Sequence, residues 1–336
     1  MALLEVKQLR VRLHTRQGDA DAVRGLSFAL DRGQTLGIIG ESGCGKSLSA
    51  LALMALAPEN STVTGSIRFG GKQWLGQSER DWCAVRGNRI AMVFQEPMTA
   101  LNPVHTIGHQ VMEPLRLHCK LGRAQARARA IELLARVGIA QPGERLNAYP
   151  HQFSGGQRQR IMIAMALACG PDVLVADEPT TALDASVQRQ VLDLIDQLVA
   201  ENGMALILIS HDLGLVAQSV SRMLVMYGGL VVEQGETAQI FAAPAHPYTR
   251  ALMAARPTLA QRLASHPGAR LPAIAGAVPD LLQMPPQGCP FASRCAFVQP
   301  ACQGQNPIPP LVQLNATHSL RCHCPQTTRA TPENPP

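Results

Sequence analysis

The stretch Leu36-Gly37-Ile38-Ile39-Gly40-Glu41-Ser42-Gly43-Cys44-Gly45-Lys46-Ser47 constrains the fold more than any other part of the chain. A short apolar run, readable as a strand, leads into G-x-x-x-x-G-K-S, and Leu48 to Ala57 continues as a helix-forming run. Strand, glycine loop and helix in that order form the setting a phosphate-binding loop requires. Gly40, Gly43 and Gly45 reach backbone angles that side chains forbid, so successive N–H groups can turn inward around an anion. The helix adds its positive dipole end at the same point. In this pattern Ser42 and Cys44 complete the loop, Lys46 reaches the outer phosphates and the Ser47 hydroxyl ligates Mg²⁺. Only four of the thirty basic residues are lysines: Lys7, Lys46, Lys72 and Lys120. A compact ammonium kept here, in a chain biased to arginine, argues against a chance glycine-rich turn.

Further apolar strands end in polar chemistry. Val173-Leu174-Val175-Ala176 runs into Asp177-Glu178, two adjacent acids that are costly at a buried strand end unless they hold a metal or do chemistry. Ala205 to Ile209 delivers Ser210-His211-Asp212, and Ile90 to Phe94 stops at Gln95-Glu96-Pro97. Phe153-Ser154-Gly155-Gly156-Gln157 precedes an apolar helix, so its serine and glycines make a second anion-binding helix start. Val187, Val191, Leu194, Ile195 and Leu198 give the helix after Asp184 a buried face at 3.6-residue spacing. Ligand groups at the carboxyl ends of several buried strands predict a doubly wound α/β sheet with its site on one rim. Leu3–Leu13 and Ala22–Leu30 alternate, as half-buried antiparallel strands around Gln17-Gly18-Asp19 would, and Gly65–Phe69 reads as another short strand. Leu115 to Val137 reads as one arginine-rich, solvated helical stretch.

Composition narrows the function classes. The net charge is +6, but from Ala251 onward six arginines stand against one Asp and one Glu, so most of the surplus lies in the tail. No basic run carries interleaved aromatics, and nucleic acid is not the expected partner. Met1-Ala-Leu-Leu-Glu-Val-Lys has an acid at position 5 and does not read as a secretory leader. The longest apolar stretch, Ile161 to Cys169, falls well short of a membrane span. A soluble, cytosolic chain is expected, touching a membrane only through partners. Nine cysteines in such a chain point to metal or free thiols before disulfides.

Taken alone, Gln95 is a polar loop residue, His211 a core histidine and Asp184 a helix cap. Their joint order is another matter: over roughly Leu3 to Gly235 the chain resembles the ATPase subunit of ATP-binding cassette transporters. Residues 40–47 resemble the Walker A loop, Gln95 the Q-loop glutamine and 153–157 the signature motif, with Phe153 where leucine is commoner. Residues 173–178 resemble Walker B, Ala182-Leu183-Asp184 the D-loop, and His211 the switch histidine. The resemblance implies a P-loop core with an antiparallel β subdomain and a helical subdomain at about 96–165, together spanning residues 1–240. It implies ATP and Mg²⁺ as cofactors, Mg²⁺ being held by Ser47, Gln95 and Asp177. It makes Glu178 the base that polarises water, with Gln95 and His211 sensing the γ-phosphate. It places the signature residues Ser154, Gly155, Gly156 and Gln157 on a nucleotide bound to an opposite subunit. The family usually stacks adenine on an aromatic residue ahead of Walker A; Leu13-His14-Thr15 offers only His14.

Pro244–Arg250 contains His246-Pro247-Tyr248-Thr249, and Gly288–Cys295 reads G-C-P-F-A-S-R-C. Both resemble the C-terminal region of ATPases serving oligopeptide, dipeptide and nickel importers, which assigns residues 241–336 to an extension. Pro272–Pro286 then reads as a linker and Thr327–Pro336 as a disordered end. The implied function is ATP hydrolysis driving peptide uptake, with nickel or another small solute, or a soluble non-transport cassette protein, as alternatives. The implied partners are two integral-membrane permeases, a second related ATPase and an extracytoplasmic binding protein, at the cytoplasmic face of the cell membrane. Cys289, Cys295, Cys302 and Cys322, with Cys324 to spare, lack the close pairs zinc favours apart from Cys322-His323-Cys324. Four cysteines on wide loops suit a [4Fe–4S] cluster, with zinc or free thiols as the other readings.

Overall fold

The computed structural model describes residues 2–96, 100–181, 183–255 and 273–326. The alternating N-terminal segments form β1 (Leu4–Thr15) and β2 (Gly18–Leu30), an antiparallel hairpin with Thr15 opposite Gly18. β4 (Ser61–Phe69) pairs with β1 and β5 (Lys72–Gln73) with β4, giving a four-stranded antiparallel sheet in the order β2-β1-β4-β5.

The apolar runs build the main sheet. β3 (Thr35–Ile39), β6 (Ile90–Val93), β7 (Val173–Asp177), β8 (Ala205–Ser210) and β9 (Arg222–Tyr227) run parallel, in the order β9-β3-β8-β7-β6. These strands show no polar alternation because both faces are covered. Leu174, Ala176, Leu206 and Leu208 enter a core shared with the long helices. Val173, Val175, Ala205, Ile207 and Ile209 enter a second core, with Val6, Leu26 and Phe28 of the antiparallel sheet. A third layer thus replaces helices on much of one face, and the sheet becomes mixed where β10 (Leu230–Glu236) turns back against β9.

The arginine-rich stretch is two helices, Ile107–Leu117 and Arg123–Arg136. They break where Lys120 takes a left-handed φ of 56° and Gly122 caps the second helix. Nor is that second helix merely solvated: Ala126, Ala130, Leu133 and Leu134 enter the core, which leaves its arginines outside.

The C-terminal extension is joined to the main sheet. β11 (Val312–Asn315) and β12 (His318–Leu320) continue it past β10, with Glu233 opposite Leu320 and Gln234 opposite Ser319. The stretch expected to be a linker is docked as well: the turn Leu281–Gln283 lies against β2, and Arg24 Nη2 donates to the Pro286 carbonyl at 2.8 Å. Pro272 and Thr327–Pro336 lie outside the described residues.

A buried polar knot closes this seam. Glu233 is fully buried; its Oε1 lies 2.7 Å from His318 Nε2 and accepts from the Ala245 N–H, while Oε2 accepts from the His246 N–H at 3.0 Å. His246 Nδ1 accepts from the Tyr248 N–H at 3.0 Å and caps the helix Pro247–Ala254, whose first residue is the proline expected there. Burial pushes the His246 imidazole down to about 4, against the opposing pull of Glu233. Between the unfolded value near 6.5 and about 4, the unfolded chain binds a proton that the folded chain refuses. Stability therefore falls as pH drops through that window, by up to about 3 kcal/mol. Urea midpoints at pH 7 and pH 5 should show about 2 kcal/mol of this loss, and His246→Asn should flatten the slope.

Candidate functional site

The parallel strands place their carboxyl ends on one rim. β3 leads into the phosphate loop, β6 to Gln95, β7 to Asp177 and Glu178, and β8 to His211. Residues 42, 43 and 45–47 line a cavity together with Ala22, Leu48, Gln95, Glu178 and Leu281. Two glycines of the loop cannot be replaced without displacing backbone. A Cβ on Gly40 would sit 2.3 Å from the Met226 carbonyl oxygen, and one on Gly45 2.4 Å from that of Ala22. Both also have positive φ. The helix Lys46–Leu53 starts at this cavity.

Lys46 is buried, and its ammonium donates to the carbonyls of Gly40 at 2.8 Å and Glu41 at 3.1 Å, with Cys44 Sγ at 3.9 Å. The Cys44 thiol is pushed up by burial and serves as packing. Ser47 Oγ donates to Asp177 Oδ1 at 3.0 Å. Burial pushes the Asp177 carboxyl up; the Ser47 hydrogen bond opposes this, neighbouring Glu178 reinforces it, and Lys46 opposes it. A carboxylate desolvated beside a hydroxyl, with Gln95 and Glu178 on the same cavity, is a set of hard oxygen donors suited to Mg²⁺.

Glu178 lies just past β7 in a left-handed conformation, φ 45°, which a non-glycine residue adopts only where its surroundings enforce it. Its N–H donates to the Ile209 carbonyl at 2.9 Å, fixing the turn to β8. Its Oε2 accepts from Gln95 Nε2 at 3.0 Å and Thr181 Oγ1 at 3.1 Å, and lies 3.2 Å from His211 Nδ1. The sequence reading missed Thr181: a hydroxyl three residues after a carboxylate carries no signal until the strained turn brings them together.

The other candidates lie elsewhere. Ser154 caps the helix Gly155–Ala166: its Oγ accepts from the Gln157 N–H, and Gln157 Oε1 accepts from the Ser154 N–H. Residues 154–157 do not line this chain's own phosphate cavity. Asp184 Oδ1 accepts from the N–H groups of Ser186 and Val187 and caps the helix Ala185–Asn202, while Ala182 lies outside the described residues. His14 sits on β1 with Nδ1 2.8 Å from Asp19 and Nε2 2.7 Å from Thr62, away from the cavity lining.

The expected iron–sulfur centre is not shown. Among the described residues, no group of three or more His, Cys, Asp or Glu is arranged to hold a metal ion. The thiols pack instead as small apolar groups, with Cys289 and Cys302 buried in the helix-side core and Cys295 and Cys324 packed against it. They are nonetheless neighbours. Burial pushes Cys289 up to about 11 and Cys322 up to about 12, each raised further by nearby thiols, and Cys324 is likewise raised by burial and by neighbouring Cys302.

Comparisons with known proteins agree with the geometry. The family described as "ABC transporter" matches residues 23–181, and "Oligopeptide/dipeptide transporter, C-terminal region" matches residues 232–302. A probable peptide ABC transporter ATP-binding protein of Sinorhizobium fredii is 47% identical over 322 residues, covering 95% of this chain and 94% of its own. The dipeptide transport ATP-binding protein DppD of Bacillus subtilis is 48% identical over 295 residues, covering 87% of this chain and 86% of its own. Among solved structures, the dimeric post-hydrolysis state of the ATP-binding cassette MJ0796 bound to ADP and Pi superposes with TM-score 0.63 at 25% identity, over 70% of this chain and 98% of that one.

Proposed function

Because the chain belongs to the ABC transporter ATPases, in the branch that carries the oligopeptide/dipeptide C-terminal region, we propose that it energises the uptake of di- and oligopeptides. The observation that carries its hydrolytic part is Glu178 Oε2, held by Gln95, Thr181 and His211 at the edge of the Lys46–Ser47 cavity.

In this reading the loop N–H groups and Lys46 bind the β- and γ-phosphates of ATP. Ser47, Asp177 and Gln95 would hold Mg²⁺, which when bound neutralises charge on the transferred phosphoryl group. Glu178 takes a proton from the attacking water. Gln95 and His211, both on the same carboxylate oxygen, orient it and register the γ-phosphate. Ser154 to Gln157 and Asp184 act across a dimer, on nucleotide in a second ATPase subunit. That none of them lines this chain's own phosphate cavity supports that division.

Among the described residues no helix is long and apolar enough to cross a membrane; the likeness to peptide transporter ATP-binding proteins supports permease partners that carry the solute. A groove between β6 and the helical layer, lined by Leu56, Phe94, Leu101, Leu117, Met162 and Met165, suits a permease helix at the cytoplasmic face. Leu56, Phe94 and Leu117 are exposed there. In the same reading Cys289, Cys295, Cys302 and Cys322, near one another though not arranged as ligands among the described residues, would supply the four thiolates of a [4Fe–4S] cluster, whose role would be to tie down the extension.

One preparation tests these points. The chain, co-expressed with candidate permeases, a second ATPase and a binding protein and purified without oxygen, should give peptide-stimulated ATP hydrolysis. It should also contain iron and acid-labile sulfide, both lost in Cys295→Ser. Stimulation by nickel alone would select the other solute, and hydrolysis without any membrane partner would select a non-transport role. Stoichiometric zinc without sulfide would end the cluster proposal.

A further inference from the structure

Arg294 stands one residue before Cys295, yet its guanidinium grips the phosphate loop 253 positions earlier in the chain. Nη1 donates to Glu41 Oε2 at 2.7 Å and Nη2 to Oε1 at 3.1 Å, a two-pronged contact. The remaining nitrogen is also engaged, since Nε donates to the Ala275 carbonyl at 2.9 Å. The Arg294 side chain is only 4% exposed, against 26% for Glu41. This sets the pair apart from surface ion pairs, which contribute little. The guanidinium is flanked by the rings of Tyr227 and Phe291, 5.8 and 5.9 Å away. Tyr248 joins the same aromatic group, 4.8 Å from Tyr227 and 5.3 Å from Phe291.

Tyr248 completes the hold. Its hydroxyl oxygen accepts from the Glu41 backbone N–H at 2.9 Å, while the Glu41 carbonyl accepts from Lys46 at 3.1 Å. Glu41 follows Gly40 directly and precedes Gly43 by two residues, in a loop rich in the most flexible residue type. Its side chain, N–H and carbonyl are each tied to a different partner, two of them from beyond residue 240. A phosphate cradle acts through the fixed direction of its N–H groups, and a misplacement of about 1 Å in such a site can lower activity roughly 10²-fold.

We propose that Arg294 and Tyr248 are positioning residues of the nucleotide site, through which the C-terminal extension braces the phosphate loop at Glu41. The extension is then part of the ATPase as well as an appendage to it. The inference rests on the reading of the Lys46 loop as the ATP site, and a control separates the two.

The test measures MgATP affinity by calorimetry, with thermal midpoints alongside, on full-length chain. Lys46→Ala should abolish binding; if it does not, the ATP-site reading itself fails. Arg294→Gln should weaken MgATP binding about tenfold. Arg294→Lys, which keeps the charge but loses the fork, should fall between wild type and Arg294→Gln. Adding Glu41→Ala to Arg294→Gln should cause no further loss, because both remove the same contact. Tyr248→Phe, which keeps the ring packing and removes only the acceptor, should weaken binding severalfold with the thermal midpoint held. Unchanged affinity in Arg294→Gln, or losses that simply add, would overturn the brace. Should Arg294→Gln not fold, Arg294→Lys and Tyr248→Phe decide, and wild-type affinity in both would overturn it equally.

Discussion

Glu178→Gln should bind ATP as the native chain does and hydrolyse it about 10²–10⁴-fold more slowly, the usual loss on removing a positioned base. The substitution preserves what the structure uses at this position. A carboxamide oxygen can still accept from Gln95 and Thr181, and the left-handed turn anchored by the Glu178 N–H on Ile209 is untouched. Only the capacity to take a proton is lost. Phosphate release and ATP affinity measured on one assembled preparation check the prediction, and near-native turnover would remove Glu178 as the base.

Gly156→Asp should reduce hydrolysis by the assembly about 10²–10³-fold, the scale of losing a donor aimed at developing charge, while the lone chain still binds ATP. There is no room for a side chain at this position: a Cβ on Gly156 would sit 2.7 Å from Val187 Cγ1, on the helix that Asp184 caps. The change would shift the start of the helix Gly155–Ala166 relative to its neighbour without reaching this chain's own phosphate cavity. Ser154→Ala, which removes the cap and keeps the glycines, should act in the same direction more weakly. Hydrolysis by the isolated chain as fast as by the assembly would contradict a site shared between subunits.

The chemistry was legible because it is written in short contiguous runs. Residues 40–47, 153–157 and 173–178 each contain a strand or helix end and its polar payload within a dozen positions. Gln95 and His211 had no meaning alone, and became readable only through their order along the chain. What escaped has long range or weak patterning. β9 is apolar from Met223 to Tyr227 and β10 starts as the short apolar run Leu230-Val231-Val232, on either side of Gly228-Gly229, and neither shows the alternation that marks an exposed strand. β11 is only four residues long and exposed along its whole length, Val312 and Leu314 included, and its assignment comes from pairing with β12 alone. The tail arginines read as diffuse positive charge, whereas Arg294 binds Glu41 and Arg321 donates to the carbonyls of Val231 and Pro309. Nothing local in either sequence neighbourhood announces a partner so far away. The cysteines show the converse: their number and crowding were plain, but spacing alone does not determine how the thiols pack, with Cys289 and Cys302 buried in the core.

The pairing of β12 with β10 also bears on synthesis. Glu233 meets His318, 85 residues later, so the outer edge of β10 has no strand beside it until the ribosome has made nearly all of the extension. At about 5–20 residues per second that interval lasts roughly 4–17 s, long compared with the formation of local structure. Throughout it the buried carboxylate of Glu233 has no imidazole, and an unpaired strand edge stands open to other chains. Truncations ending between Glu236 and His318 should therefore go preferentially to chaperones or aggregates, with the phosphate loop intact in sequence but its sheet unfinished.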